Sequence, residues 1–590
     1  MHFLLHTNGI ILRSLWCTAA FCIALSLLVL AFPRAYAAQD TQGSNQASAL
    51  ARGQIIQQLP PAGQADLLAI VAAGELPQLR WPRFGDLQVE VSEFYSSIGY
   101  SLAWIRSSVP TPQARGVIEL LKSSDRKGLA PEDYDGPRWT ARVQSLDHGG
   151  SPSDSILLRF DIELTVSVMR YLSDMHRGRV SQRAQHFMLD VKNSEFDLSE
   201  FLRLRVINAA DIETALAEVE PPFPTYRRTI HALQTYLALA NSDDGTFLPV
   251  LSKPIDPGDR DPGVPRLTRL LRLLGDLPQQ GVTTAAPELY QESLVEGVKR
   301  FQQRHGLDPN GRIDPETLRA LNTPLRRRVR QLELTLERWR WLPRTFQPPA
   351  IAVNIPEFRL RAVDQNYRWI LSMKVVVGKA YGHQTPVFAS ELRSITFRPS
   401  WNVPLAIQRD ELLPEVEKDP LYLSANSYVI TDSSGRAVVA ADPADNEARE
   451  KLRSGELRLR QEPGPDNALD LIRFDLSDSF DIYLHGTPAT ELFSRSRRDF
   501  SHGCIRVEDP LALAVWVLRD NPEWTTDRMR TVMSGEKTIR VNLARPIPVL
   551  VLYGTAVVME DGEVRFFDDI YGLDADLERA LTARYPGSQP

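Results

Sequence analysis

Cys504 sits in the run Ser501-His502-Gly503-Cys504-Ile505-Arg506, and a second histidine lies upstream in Ile482-Tyr483-Leu484-His485-Gly486-Thr487. A thiol attacks a carbonyl as its thiolate, yet a free cysteine holds its proton up to about pH 8.5, so it needs a base or a favourable field. Two histidines are candidates for that base. His485 ends a predicted strand, where a side chain reaches over a sheet edge, and His502 lies two residues before the thiol. Gly503, lacking a Cβ, permits a tight turn and a close approach of its amide to a substrate oxygen. The amides of Gly503 and Cys504 are therefore candidate oxyanion donors, and losing one such donor typically costs on the order of 10²–10³ in rate. Arg506 offers a fork of donors to a carboxylate or carbonyl oxygen. Together these residue types suit acyl transfer through a cysteine.

Each of them also has an ordinary use. A lone cysteine is commonly a small buried hydrophobe, and histidines serve many structural ends. Context makes Cys504 more informative. Of the three cysteines, Cys17 and Cys22 lie in an apolar stretch, Leu15 to Phe32, which follows Arg13 and ends in Ala35-Tyr36-Ala37. That pattern reads as a secretory signal cleaved after Ala37, with an uncleaved inner-membrane anchor as the alternative because the stretch nears membrane-spanning length. The expected location is the periplasm. An unpaired thiol left in an exported chain is a reactive or intermolecular one.

The chain of 590 residues is long enough for several domains. A net charge of -6 carries no polycationic signature and disfavours a nucleic-acid partner. Neither H-E-x-x-H nor G-x-S-x-G occurs, which removes the commonest zinc-protease and serine-hydrolase readings. Ser124-Asp125-Arg126-Lys127 matches S-x-x-K, but no Lys-Thr-Gly accompanies it.

The elements that must position the cysteine follow from periodicity and turn residues. After residues 1–37, a tether is expected over 38–80 and a helical scaffold over 81–245. Within that scaffold, Ile156, Phe160, Leu164, Val168 and Leu172 lie along one helix face, and a further helix is predicted near Tyr226 to Ala240. Residues 246–286, dense in Asp, Pro and Gly at their start, read as a linker or loop. A small helical unit spans 287–323: Leu294, Val298 and Phe301 form a stripe, and Asp314-Pro315 opens a second helix. The run Arg326-Arg327-Arg328 reads as a solvated helix face. β-rich segments then dominate 330–555, at Ile351 to Ile355, Trp369 to Val377, Ser394 to Phe397, Phe480 to Leu484, Thr538 to Val541 and Pro548 to Tyr553. A polar insertion interrupts them at about 403–465, and residues 556–590 form a C-terminal extension packed on this domain.

His485, fifteen intervening residues and then Ser501-His502-Gly503-Cys504 resemble the signature of the L,D-transpeptidase (YkuD-type) family. Val353-Asn354-Ile355-Pro356, Val377-Gly378, Thr385-Pro386 and Trp401-Asn402-Val403-Pro404 extend the likeness to the large multidomain subgroup. The stretch from Val298 to Asn322 is similar to small peptidoglycan-binding domains. The resemblance implies an α+β multidomain protein with a helical scaffold, a small helical peptidoglycan-binding-like domain, and a β-rich catalytic domain carrying an inserted capping subdomain. It also implies Cys504 as nucleophile and His485 as its base, with the carbonyl of Gly486 orienting the imidazole. Gly503, Ser501, His502 and Arg506 would support the site. The implied partners are peptidoglycan stem peptides, as donor and acceptor, and no metal or organic cofactor is required. The reaction would form a thioester on a stem tetrapeptide, release D-alanine and make a 3→3 cross-link. An L,D-carboxypeptidase and a non-catalytic wall-binding scaffold are the alternatives.

Overall fold

A computed structural model describes residues 58–584, except 148–151, 183–184, 186, 189–195, 279–285, 345, 420, 440–441, 443 and 478–481. The expected signal or anchor (1–37) and the first part of the tether lie outside the described residues. No described helix is long and apolar enough to cross a membrane. The chain divides into two compact units.

The first unit, built from residues up to Lys122, Tyr134–Arg170 and Asp197–Glu218, is helical. The tether expectation for 38–80 fails over its second half. Pro61–Ala73 is a helix started by Pro61, and Gly63, Leu67 and Val71 recur at four-residue spacing on its buried face. A 24-residue helix, Asp154–Arg177, begins in this unit. It buries Phe160 edge-on to Trp139, with ring centroids 5.7 Å apart. Asp161 is fully buried and accepts from the Trp104 amide (2.7 Å), the Ala103 amide (3.1 Å) and the Tyr95 hydroxyl (2.8 Å). Burial outweighs these bonds and pushes its carboxyl up to about 6.

The second unit holds the remainder, including Pro224–Ser242, which the sequence assigned to the scaffold. The linker expected over 246–286 is also corrected. Val264–Leu273 is a helix whose Leu267, Leu270 and Leu271 pack with Leu294, Val298 and Phe301 of helix Ser293–Arg304. A buried ion pair between Arg304 and Asp276 (2.6 Å) sits among these elements. The Asp, Pro and Gly residues that suggested a boundary form turns within this small unit. Pro315–Leu321 starts as expected, with the Asp314 carboxylate accepting from the Thr317 amide at 2.7 Å. Helix Leu325–Arg340 follows. Arg328 on it is buried rather than solvated: it donates to Ala320 O and Gln331 Oε1 and lies over the Phe566 ring.

The β-rich domain uses β1 (Phe187–Met188), β2 (Ala350–Asn354), β3 (Arg359–Val363), β4 (Trp369–Gly378), β5 (Val387–Phe397), β6 (Trp401–Asn402), β7 (Tyr428–Thr431) and β8 (Arg458–Gln461). It continues with β9 (Ile472–Leu476), β10 (Tyr483–His485), β11 (Asp499–Ser501), β12 (Ile505–Val507) and β13 (Ile539–Leu552), then a β14 (Ala556–Val558) and β15 (Val564–Phe566) pair. The main sheet runs β9-β10-β12-β4-β3-β2-β13-β5-β1, and β9 also pairs β5, so its hydrogen-bonding path closes on itself. Phe397, Ile472, Leu484, Ile505 and Val376 are buried along this ring. The two runs expected at Thr538 to Val541 and Pro548 to Tyr553 are one strand, β13. A register shift between Asn542 and Ile547 accommodates Pro546 without ending the pairing with β5.

The insertion leaves and re-enters the sheet at one point. Phe397 pairs with Ile472 across β5 and β9, and the Arg398 amide donates to Leu471 O at 2.8 Å. Between them the chain builds a three-stranded sheet, β6-β8-β7, over an apolar core of Val403, Leu413, Val416, Leu452 and Leu459. At the other end of the domain, helix Leu573–Ala583 packs against Leu325–Arg340, with Arg338 donating to Asp574 Oδ1 (2.5 Å) and Leu573 O (2.8 Å).

Candidate active site

β10 and β12 are adjacent and parallel, with Leu484 opposite Ile505 and His485 opposite Arg506. Leu484 and Ile505 point into the core. Alternation along each strand therefore sends His485 and Arg506 to the opposite face. Cys504 lies immediately before β12, two residues from Arg506, the residue paired with His485.

The sequence around Cys504 dictates the local turn. β11 pairs β4 in parallel and β12 pairs β4 antiparallel, so residues 502–504 must reverse the chain beside the end of β4. Gly503 makes that reversal at φ +117°, a conformation that side-chain-bearing residues rarely adopt. Ser501 ties the turn, its hydroxyl donating to Cys504 O (2.5 Å) and accepting from the Gly503 amide (3.1 Å). The Gly503 amide, expected to face a substrate oxygen, donates here to Ser501 Oγ. Cys504 is half-buried and forms no disulfide.

His485 is buried, and its Nδ1 lies 2.6 Å from the carbonyl of Gly486. A carbonyl only accepts, so Nδ1 carries the proton and Nε2 presents its lone pair. Burial, then the Arg506 guanidinium, push the imidazole down to about 3, against the opposing pull of the Gly486 bond. The imidazole is therefore neutral at physiological pH. Arg506 is itself lowered by burial, while charge on Cys504, Glu411 and Glu491 works to hold its proton. Arg506 thus lies in the electrostatic reach of both His485 and Cys504, and its buried Nε has no hydrogen-bond partner among the described residues. His502, the other candidate base, is engaged elsewhere. Its Nε2 pairs with Glu411 Oε1 at 2.5 Å, and its ring meets His383 edge-on at 4.8 Å.

Two supports of the turn, and one contact to it from the insertion, escaped sequence reasoning. Thr385 Oγ1 donates to Gly503 O (2.7 Å) and accepts from the Gly378 amide (2.9 Å), while Tyr571 OH donates to Gly378 O (2.6 Å) and accepts from the Thr385 amide (3.2 Å). Glu411 comes from the insertion. Thr385-Pro386 was visible only as a family motif, and nothing local marks Tyr571 or Glu411. By contrast, the S-x-x-K match is structural: Ser124 is buried and Lys127 pairs with Glu220 at 2.6 Å. An apolar cavity of about 140 Å³ is lined by residues including Phe223, Trp339, Tyr367 and Trp369, and by no residue of the 485–506 segment. Among the described residues, no three His, Cys, Asp or Glu side chains gather as metal ligands.

Residues 348–558 match the model of the YkuD L,D-transpeptidase catalytic domain. The chain carries an L,D-transpeptidase catalytic domain. Residues 89–233 match a scaffold domain and 260–321 a "Putative peptidoglycan binding domain", the latter beginning inside the region that the sequence suggested was a linker. A Haemophilus influenzae protein named "Putative L,D-transpeptidase" is 35% identical over 255 residues, covering 43% of this chain and 50% of that protein. The match thus spans about half the length of the relative. The L,D-transpeptidase domain match encloses β2 through β14, so His485 on β10, Cys504 just before β12 and the insertion bearing Glu411 all fall inside it.

Proposed function

We propose that the chain is an exported L,D-transpeptidase that forms 3→3 cross-links between peptidoglycan stem peptides, with Cys504 as nucleophile and His485 as general base. What supports the reading is the shared face of β10 and β12. A neutral imidazole, its tautomer set by Gly486 O, pairs in register with Arg506, whose guanidinium lies in the electrostatic reach of the half-buried Cys504 thiol two residues earlier. In the first step His485 Nε2 takes the thiol proton as Sγ attacks the carbonyl of the L-centre of the third stem residue. The C–N bond to D-alanine breaks, and the proton passes from His485 to the leaving amine, leaving a thioester. In the second step a side-chain amine of another stem attacks the thioester, and Cys504 departs with the proton that His485 has received. Arg506 contributes positive charge near the sulfur, and Ser501 and Thr385 hold the turn that presents it.

Export is part of the proposal and is supported by the pattern of residues 1–37; fractionation of cells expressing the full chain should find it outside the cytoplasm. The reaction is tested by incubating the purified protein with disaccharide-tetrapeptide and following products by mass spectrometry. Cross-linked dimer and a tripeptidyl adduct on Cys504 are expected, both abolished by Cys504→Ala. Tripeptide without dimer would assign an L,D-carboxypeptidase, and unchanged substrate a wall-binding scaffold.

A further inference from the structure

The insertion does more than cover sheet: one of its carboxylates reaches the nucleophile loop. Glu411 lies in a π-helical turn, Gln408–Leu412, a geometry often found at functional positions. The turn is anchored from behind. Gln408 is fully buried, donating to Leu452 O (2.6 Å) and Leu457 O (3.1 Å) and accepting from the Leu459 amide (2.8 Å), while Leu412 and Leu413 enter the insertion's core. Glu411 projects outward, its Oε1 on His502 Nε2 at 2.5 Å. Among the described residues its Oε2 takes no hydrogen bond, and the side chain is 46% exposed. Glu411 also acts on the Arg506 guanidinium.

The site therefore sets a carboxylate within the field of a cation, two residues from the sulfur along the turn. That is the charge complement of an amine acceptor, which arrives as an ammonium and, on an amino-acid centre, brings a carboxylate on the same carbon. We propose that Glu411 is the residue that selects the acceptor, binding its ammonium through the free carboxylate oxygen before transfer. This rests on the transpeptidase reading. The bound ammonium loses one proton to solvent and becomes the nucleophile. As its nitrogen bonds to the thioester carbonyl, a second proton passes to His485. The C–S bond then breaks, and Cys504 leaves with that proton as a thiol.

The test uses the full chain, disaccharide-tetrapeptide as donor, and disaccharide-tripeptide as an acceptor that has the amine but no D-alanine to release. In Glu411→Gln the acceptor KM should rise roughly 3- to 10-fold, as for a partly exposed charge pair, with kcat changed by less than about twofold. More thioester should then partition to water, Glu411→Asp should recover part of the loss, and formation of the tripeptidyl adduct on Cys504 should keep its rate. An unchanged acceptor KM overturns the proposal. So does adduct formation slowed in step with cross-linking, which would make Glu411 only a support for His502. If the unaltered protein forms no adduct at all, the transpeptidase reading itself fails, and that outcome is read before any Glu411 variant.

Discussion

Substituting Gly486 with alanine should disable the base without touching it. A Cβ at position 486 would stand 2.8 Å from Asp470 Cβ and 2.9 Å from its Cγ, and closer still to Oδ2. Opening the 2.8 Å contact to an ordinary 3.4 Å takes 0.6 Å of movement, and the carboxylate needs more. Asp470 is held by its backbone bond to Asn467 O and by partial burial, so part of the shift falls on the Gly486 peptide. That peptide's carbonyl is the acceptor that sets the His485 tautomer. Overpacking of this kind typically costs about 1–3 kcal/mol of stability. Misplacing a catalytic group by about 1 Å costs on the order of 10²-fold in rate. Gly486→Ala should therefore lower the melting midpoint and slow acylation of Cys504 by disaccharide-tetrapeptide about 100-fold, read by intact mass. Asp470 sits at φ +56°, which glycine adopts freely, so Asp470→Gly clears the space at little backbone cost. The double variant should acylate within about threefold of Asp470→Gly alone, since the rate penalty arises from the clash rather than from the methyl itself. A Gly486→Ala protein that acylates at the normal rate, or a double variant no faster than the single one, would refute the reasoning.

Because the folded His485 is pushed down to about 3, it is already neutral well below its ordinary 6.5, so acid costs the base only as pH falls toward 3. The acylation rate should be nearly level from pH 8 to pH 5, whereas a histidine titrating at 6.5 would lose roughly 30-fold by pH 5; a limb near 6.5 contradicts the assignment. Tyr571→Phe leaves the Gly378 carbonyl and the Thr385 amide without their shared partner, at about 1–3 kcal/mol for each buried group left unsatisfied. The variant should melt earlier and acylate more slowly, and an unchanged acylation rate would show that the turn does not depend on this support.

The candidate site was legible because its residues are local in sequence. Residues 501–506 carry the thiol, its turn glycine and its cation within six positions, and the spacing to His485 marks a strand end. The α+β character was equally legible, since periodicity changes from helical to alternating near Pro349. What could not be read was register. Nothing in the order of residues says that His485 faces Arg506 rather than Ile505, yet a one-residue slip would turn the imidazole into the core. The misread segments share a cause as well. Pro60-Pro61, Asp256-Pro257-Gly258 and Pro546 punctuate the chain locally, but Leu67, Leu267 and Ile547 beside them are buried by partners that lie elsewhere in sequence. Burial of Arg328 under Phe566 is the same effect on a charged residue.

That contrast bears on how the site is built. The groups proposed to break and form bonds, His485 and Cys504, lie within 20 residues, but those that hold them come from far off. Thr385 precedes the thiol by more than a hundred residues, Tyr571 follows it in the C-terminal extension, and Glu411 enters from the insertion. Each reaches the turn through backbone or imidazole contacts rather than through the sulfur. Changes in the insertion can therefore alter what meets the thioester while leaving the Gly378–Thr385–Gly503 ties intact. The fold thus separates the residues proposed for acylation, on β10 and the turn before β12, from the insertion residue proposed to choose the nucleophile that resolves it.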